Sequence, residues 1–161
     1  NYAVGQVQTL PSGTNSAVNY WQITGVQLEA GSVATPFEFE DFSTTLAKCQ
    51  RYYYRATATT SAFARFAQGF TASGTKAEVL FIPPVSMRAE ASSVDTGGNL
   101  RLEDTQQAYT AGLTVALNSN HSYTEAASLD VTVTSGLTQY RPHFLGASND
   151  TTAFVGISAE L

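Results

Sequence analysis

Thirteen Asp and Glu residues supply the first chemistry to weigh, because glycoside hydrolysis needs two carboxyls roughly 5–10 Å apart. Glu38, Glu40 and Asp41 form one cluster, and Glu103 with Asp104 forms another. Acids that close in sequence are inevitable among so many, and carboxylates are mostly solvated surface groups. They read as surface acids, and no enzyme is expected. Nucleophilic catalysis fares no better: serines are abundant, but there is no Gly-x-Ser-x-Gly elbow and no glycine loop of the kind that cradles phosphate. The two histidines, His121 and His143, lack a second histidine at ligand spacing. His143 is expected to be a partly buried ring with a satisfied hydrogen bond, and His121 a loop histidine. One cysteine, Cys49, excludes an internal disulfide and a thiolate zinc cluster. It is expected to be a small buried hydrophobe. No cofactor or metal is expected.

Binding chemistry is better supplied. Saccharides are held by aromatic rings under their apolar faces and by side-chain hydrogen bonds around their rims, on loops carried by a rigid scaffold. Three turn-rich segments have such residues: 104–110 with Tyr109, 118–125 with His121 and Tyr123, and 135–150 with Tyr140, Arg141 and Asn149. Tyr109, His121, Tyr123, Tyr140 and Arg141 are therefore the candidate binding residues. Tyr52, Tyr53 and Tyr54, between Arg51 and Arg55, offer a second aromatic surface. Alternating tyrosines also fill both faces of a packed sheet, and that reading is preferred.

The elements that must position these groups are predominantly strands. The chain has 161 residues, a net charge of −5, 43% hydrophobic and only 13% charged residues. That length suits one domain, or one domain with a fragment of a neighbour, and the composition is opposite to that of disorder. An acidic chain with scattered Lys and Arg is a poor partner for nucleic acid, and no apolar run approaches the ~20 residues of a membrane helix. The chain opens on Asn1 without a start Met, which suggests a segment of a longer protein.

Short alternating runs mark the strands. Residues 4–9 form one candidate. In 20–29, Trp21 and Ile23 share a face and Val26 and Leu28 take the opposite phase across Gly25, as a β-bulge would produce. Residues 63–71 and 78–82 flank a turn at 72–75. Val79 to Ile82 is apolar on both faces and is expected to be buried on both. Leu100 and Leu102, then Leu113, Val115 and Leu117, then Leu129, Val131 and Val133, alternate with polar residues, and Ala153 to Leu161 makes a last face. One helix is predicted near residues 42–51, with Phe42, Leu46, Cys49 and Tyr53 as its apolar stripe. Antiparallel strands with turns at this spacing indicate a sandwich or barrel.

The run Trp21-Gln22-Ile23-Thr24-Gly25-Val26-Gln27-Leu28-Glu29-Ala30-Gly31-Ser32-Val33-Ala34-Thr35-Pro36-Phe37-Glu38 resembles a segment of bacteriophage tail fibres and tail-associated proteins, including those of phages infecting marine cyanobacteria. In that family it continues into a Leu-x-x-Cys-Gln-Arg-Tyr-Tyr run, supplied here by Leu46, Cys49, Gln50, Arg51, Tyr52 and Tyr53. Pro84-Val85-Ser86-Met87-Arg88-Ala89 is similar to a third family run. Acidic Glu40-Asp41 departs from the basic residue found there in relatives, and the resemblance fades beyond Ala89. It implies the distal part of a fibre: residues 1–40 as the end of an upstream β module or a stalk-side segment, and 41–161 as a terminal, jelly-roll-like β-sandwich. It also implies a homotrimer in the virion, with a tip that contacts host-surface polysaccharide or lipopolysaccharide without catalysis. A threefold axis would be needed to gather His121 side chains around a metal; the loop reading is preferred. The alternatives are a trimerisation or connector module and a fragment of a capsule-degrading tailspike.

Overall fold

The computed structural model describes residues 40–160, together with 30, 33 and 36. The chain divides into two compact units, 1–41 and 42–161. The strand candidates at 4–9 and 20–29, with the Gly25 bulge, lie outside the described residues.

The second unit opens with α1, Phe42–Gln50, and continues as β1 (Tyr53–Thr57), β2 (Arg65–Thr71), β3 (Lys76–Phe81), β4 (Ser93–Gly97) and β5 (Leu100–Glu103). Then come β6 (Ala108–Tyr109), β7 (Thr114–Leu117), β8 (Ala127–Thr132), β9 (Pro142–Ala147) and β10 (Phe154–Ser158). All pairings are antiparallel and fall into two sheets, one ordered β1-β10-β4 and the other β6-β5-β9-β2-β3-β8-β7. The described unit is thus mostly β with one short helix.

The connection between β6 and β7 dictates the curvature of the larger sheet. These two strands lie at its opposite edges, about 29 Å apart were seven strands laid flat. Only residues 110–113 join them, and such a link spans at most about 18 Å. The sheet must therefore curl, and β4 of the smaller sheet lies against β7. Between the sheets runs one core. Ala77, Val79 and Phe81 of β3, Leu129 and Val131 of β8, and Leu102 and Leu145 meet Val155 and Ile157 of β10. Tyr54 of β1 stacks on Phe81 with ring centroids 5.6 Å apart. These inward residues sit at every second position, as the two-residue period of a pleated strand requires.

Two expectations fail at the periphery. The 79–82 run is covered on one face only: Val79 and Phe81 are buried, but Leu80 and Ile82 are 38% and 64% exposed. Strand alternation sends them to the outer face, and no described layer covers it there. Cys49 is exposed, not buried. The helix ends at Gln50, Tyr53 opens β1, and no residue of α1 is buried. Phe42 and Leu46 of its stripe are exposed as well. Just past its C-terminal end the Arg88 N–H donates to the Arg51 carbonyl at 2.8 Å.

Candidate functional site

Strand register sorts the candidate residues. Pairing of Thr71 with Ala77, Ala77 with Val131, and Phe70 with Pro142 defines one end of the large sheet; pairing of Phe81 with Ala127 and Arg65 with Gly146 defines the other. Tyr140 and Arg141 belong to the first end; Tyr109 pairs with Leu102, nearer the other end in register, but its ring reaches the first by lying beside Gly136 and His143. His121 and Tyr123, in the β7–β8 connection, belong to the second. The length of β3, about 17 Å, separates the two groups. The structure therefore brings three of the five together and leaves two apart.

At the first end, the β8–β9 loop is pinned across the β2–β3 turn. The Leu137 N–H donates to the Gly74 carbonyl at 3.1 Å, the Gln139 side-chain amide to the Ala72 carbonyl at 3.0 Å, and the Tyr140 N–H to the Thr71 carbonyl at 2.8 Å. Tyr140 is held at φ 64°, a left-handed conformation disfavoured for any side chain bulkier than Asn. Its ring is 79% exposed. A bulky aromatic kept in a strained backbone and presented to solvent is the kind of outlier that marks a functional position.

Arg141 follows directly. Its guanidinium donates to Asp104 Oδ2 at 2.7 Å and to Gln106 Oε1 at 3.3 Å, tying the β8–β9 loop to the β5–β6 turn. The Asp104 side chain is only 5% exposed. Burial works against its ionisation, but the N–H groups of Gln106 and Gln107, which donate to Oδ1 at 2.8 and 2.7 Å, together with Arg141, hold its carboxyl below the ordinary range. Arg141 is thus committed to a structural pair and helps fix the loop that presents Tyr140. Tyr109, expected on an exposed loop, instead sits half-buried on β6 and packs against the core. Its ring tilts against His143 with centroids 5.9 Å apart.

His143 is fully buried, more deeply than the sequence indicated. Its Nδ1 lies 2.8 Å from Thr71 Oγ1 and 3.1 Å from the Arg141 carbonyl, while Nε2 has no hydrogen-bond partner. The Thr71 hydroxyl donates to the same carbonyl at 3.1 Å. A proton on Nδ1 therefore suits this pocket, because it leaves Nε2 lacking only an acceptor's partner and not burying an N–H.

At the second end, His121 closes a 3-10 turn, Ser119–His121, and is exposed. Tyr123 forms a two-way backbone bridge with Ala126, at 2.9 and 3.2 Å, with its ring half exposed. The turn is braced from inside by Ser122, whose hydroxyl donates to the Asn118 carbonyl at 2.8 Å and accepts the Ser128 N–H at 3.0 Å.

Of the acids weighed for catalysis, Glu103 and Asp104 are held in ion pairs. Glu103 and Asp104 follow each other at the end of β5. Glu103, buried, is clamped between Arg65, at 2.8 Å, and Arg101. Those guanidiniums lie over Phe144 and Phe63, at 4.3 and 4.6 Å from the ring centroids. Glu38 lies outside the described residues. Among the described residues no group of three or more His, Cys, Asp or Glu is placed to hold a metal, and no helix is long and apolar enough to cross a membrane.

The tyrosine run divides as strand alternation requires. Tyr54 points into the core. Tyr53 lies over Gly156 on the outer face and donates to Asp95 Oδ2 at 3.1 Å; partial burial and that carboxylate push its phenol up. Tyr52 is covered by Arg88, 5.2 Å from its ring centroid.

Two surface features escaped the sequence reading. One is the outer-face groove where Phe70, Leu80, Ile82 and Phe144 meet beside Gln68, a volume of about 450 Å³. Its signal was present in the two-faced apolar run of β3. The other is a polar cleft of about 650 Å³ between the β4–β5 turn and the β6–β7 connection. It is assembled from Thr, Asn and Ser residues far apart in sequence, and no local pattern announces it. No protein-family model, curated protein or solved structure matches the chain.

Proposed function

We propose that this chain is the receptor-binding tip of a phage tail fibre, a non-enzymatic homotrimer within the virion that adsorbs to host-surface polysaccharide or lipopolysaccharide. The observation that carries the reading is Tyr140: an exposed ring in a left-handed backbone, on a loop braced by the Arg141–Asp104 pair. A flat, rigid aromatic of this kind suits the apolar face of a sugar, and its low side-chain entropy keeps the cost of binding small. The resemblance of residues 21–89 to tail fibres supplies the context. The exposed strip of Phe70, Leu80 and Ile82 supports self-association, since burying such side chains is worth about 1.5–3 kcal/mol each. Three copies on one axis turn weak sites into firm attachment.

The same strip favours a second reading, a trimerisation or connector module whose neighbours perform the recognition. Glycan-array binding separates the two. A tip binds a defined subset of bacterial glycans, and its Tyr140→Gly variant binds them much more weakly while folding normally. A chain that assembles but binds no glycan is a connector.

A further inference from the structure

The cleft between the β4–β5 turn and the β6–β7 connection is uncharged, hydrogen-bonding and rigid. Five polar residues line it: Thr96, Asn99, Thr110, Thr114 and Ser148. None of the five makes a side-chain hydrogen bond within the described chain, so all are free to serve a ligand. Leu100, Leu113 and Val115 add an apolar wall. No charged side chain contributes to the lining, and the volume of about 650 Å³ falls within the ordinary range of small-molecule sites.

Both walls are held before any ligand arrives. Asp150 Oδ2 accepts the Asn99 N–H at 2.8 Å, and the Asn99 carbonyl accepts the Ser148 N–H at 2.8 Å. Asp150 Oδ1 is occupied by the Thr152 N–H and hydroxyl, both at 2.7 Å, so this carboxylate braces the wall and has little left for a ligand. Across the cleft, the Ala111 carbonyl accepts both the Thr134 N–H and its hydroxyl at 3.0 Å, and the Leu113 N–H donates to the Thr110 carbonyl at 3.3 Å. Preorganised walls spare a ligand the cost of ordering them.

We infer that this cleft is a second saccharide site, selective for neutral sugar units. Hydroxyl and amide side chains around an apolar wall match a ring that is polar at its rim and apolar on its faces, and an uncharged lining gives a carboxylate or sulfate no counter-charge. None of its residues belongs to the Tyr140 loop, so the site is separate, although it rests on the carbohydrate-binding reading above. Two different sites on one protomer give a chain of sugars two points of engagement.

The test titrates the full, 15N-labelled chain with maltotriose, cellotriose and chitotriose, and with trigalacturonate as the anionic counterpart, following backbone amides by NMR. Neutral probes should shift amides at 97–100 and 110–115, and trigalacturonate should bind there at least tenfold more weakly. Asn99→Ala and Thr114→Val should each weaken cleft binding about three- to tenfold, the worth of one hydrogen bond, whereas Tyr140→Gly should leave it unchanged. Shifts confined to the Tyr140 loop would overturn the cleft site and leave the proposed function standing. No response at either place would overturn the cleft site, the proposed function being read separately by the glycan array, and tighter binding of trigalacturonate at the cleft would overturn the assignment to neutral sugars.

Discussion

Replacing Tyr140 by Gly separates a side chain kept for binding from one kept for folding. At φ 64° a residue with a Cβ carries a penalty of roughly 1–2 kcal/mol that Gly escapes. Gly loses about 0.5–1 kcal/mol more chain entropy on folding, so the net change lies between zero and about 1.5 kcal/mol of added stability. The residue is 79% exposed, so its removal forfeits little packing. For a unit of this size, melting should stay level or rise by up to about 6 °C. Tyr140→Ala keeps the strain and should melt at or slightly below the parent. Losing one stacked ring costs about 1 kcal/mol per site, near fivefold, and three sites acting together raise the loss toward a hundredfold. Calorimetry and adsorption to host cells read the two quantities independently. A Gly variant that melts several degrees lower would show that the ring packs. One that adsorbs like the parent would show that it does not bind.

Four further outcomes follow from the packing. A Cβ on Gly69 would lie 1.8 Å from the Glu78 carbonyl oxygen and 2.6 Å from the Val79 Cα, so Gly69→Ala must part β2 from β3 and should cost about 3 kcal/mol in urea unfolding. Gly74→Ala, whose nearest neighbour is 3.8 Å away, should be silent; equal effects would refute the close approach. The carboxyls of Asp104 and Asp150 are held below their ordinary range, Asp150 by the Thr152 hydroxyl and by the N–H groups of Asn99 and Thr152. Their stabilisation is complete above the unfolded value of about 4 and is lost as pH falls through the lower folded values. Melting should thus be flat from about pH 5 to 8 and fall below about pH 4, and a decline beginning near neutrality would contradict this. A chain beginning at Asp41 should keep one cooperative melting transition, because every described member of the main core cluster lies beyond that point; loss of cooperative melting would place core contacts upstream. Light scattering should report three times the chain mass, and a stable monomer would remove the role given to the Phe70–Leu80–Ile82 strip.

Local patterns in this sequence carry the strands and little of the site. The alternation of Leu129, Val131 and Val133, or of Val155 and Ile157, reports which side chains meet the core, because a pleated strand has a period of two whatever its partners. The 42–51 periodicity likewise gives a helix at Phe42–Gln50. It misplaces Cys49, since periodicity states which residues share a face and not whether anything covers it. Exposure of Tyr123 and Tyr140 follows from turn-rich context, yet nothing local says that they sit at opposite ends of the sheet. That depends on register across β2, β3, β8 and β9. Arg141 reads as a loop cation, and only its contact with Asp104, 37 residues away, turns it into a brace. The polar cleft is wholly a product of the curl that the short β6–β7 link imposes.

Attachment without catalysis is read in a single assay. The trimer is incubated with purified host-surface polysaccharide, and bound protein and new reducing ends are measured in the same samples. Binding should be saturable and weakened toward a hundredfold by Tyr140→Gly, with reducing ends at the level of the protein-free control. Time-dependent release of reducing ends would make the chain a depolymerase, and absence of binding would leave it a structural module.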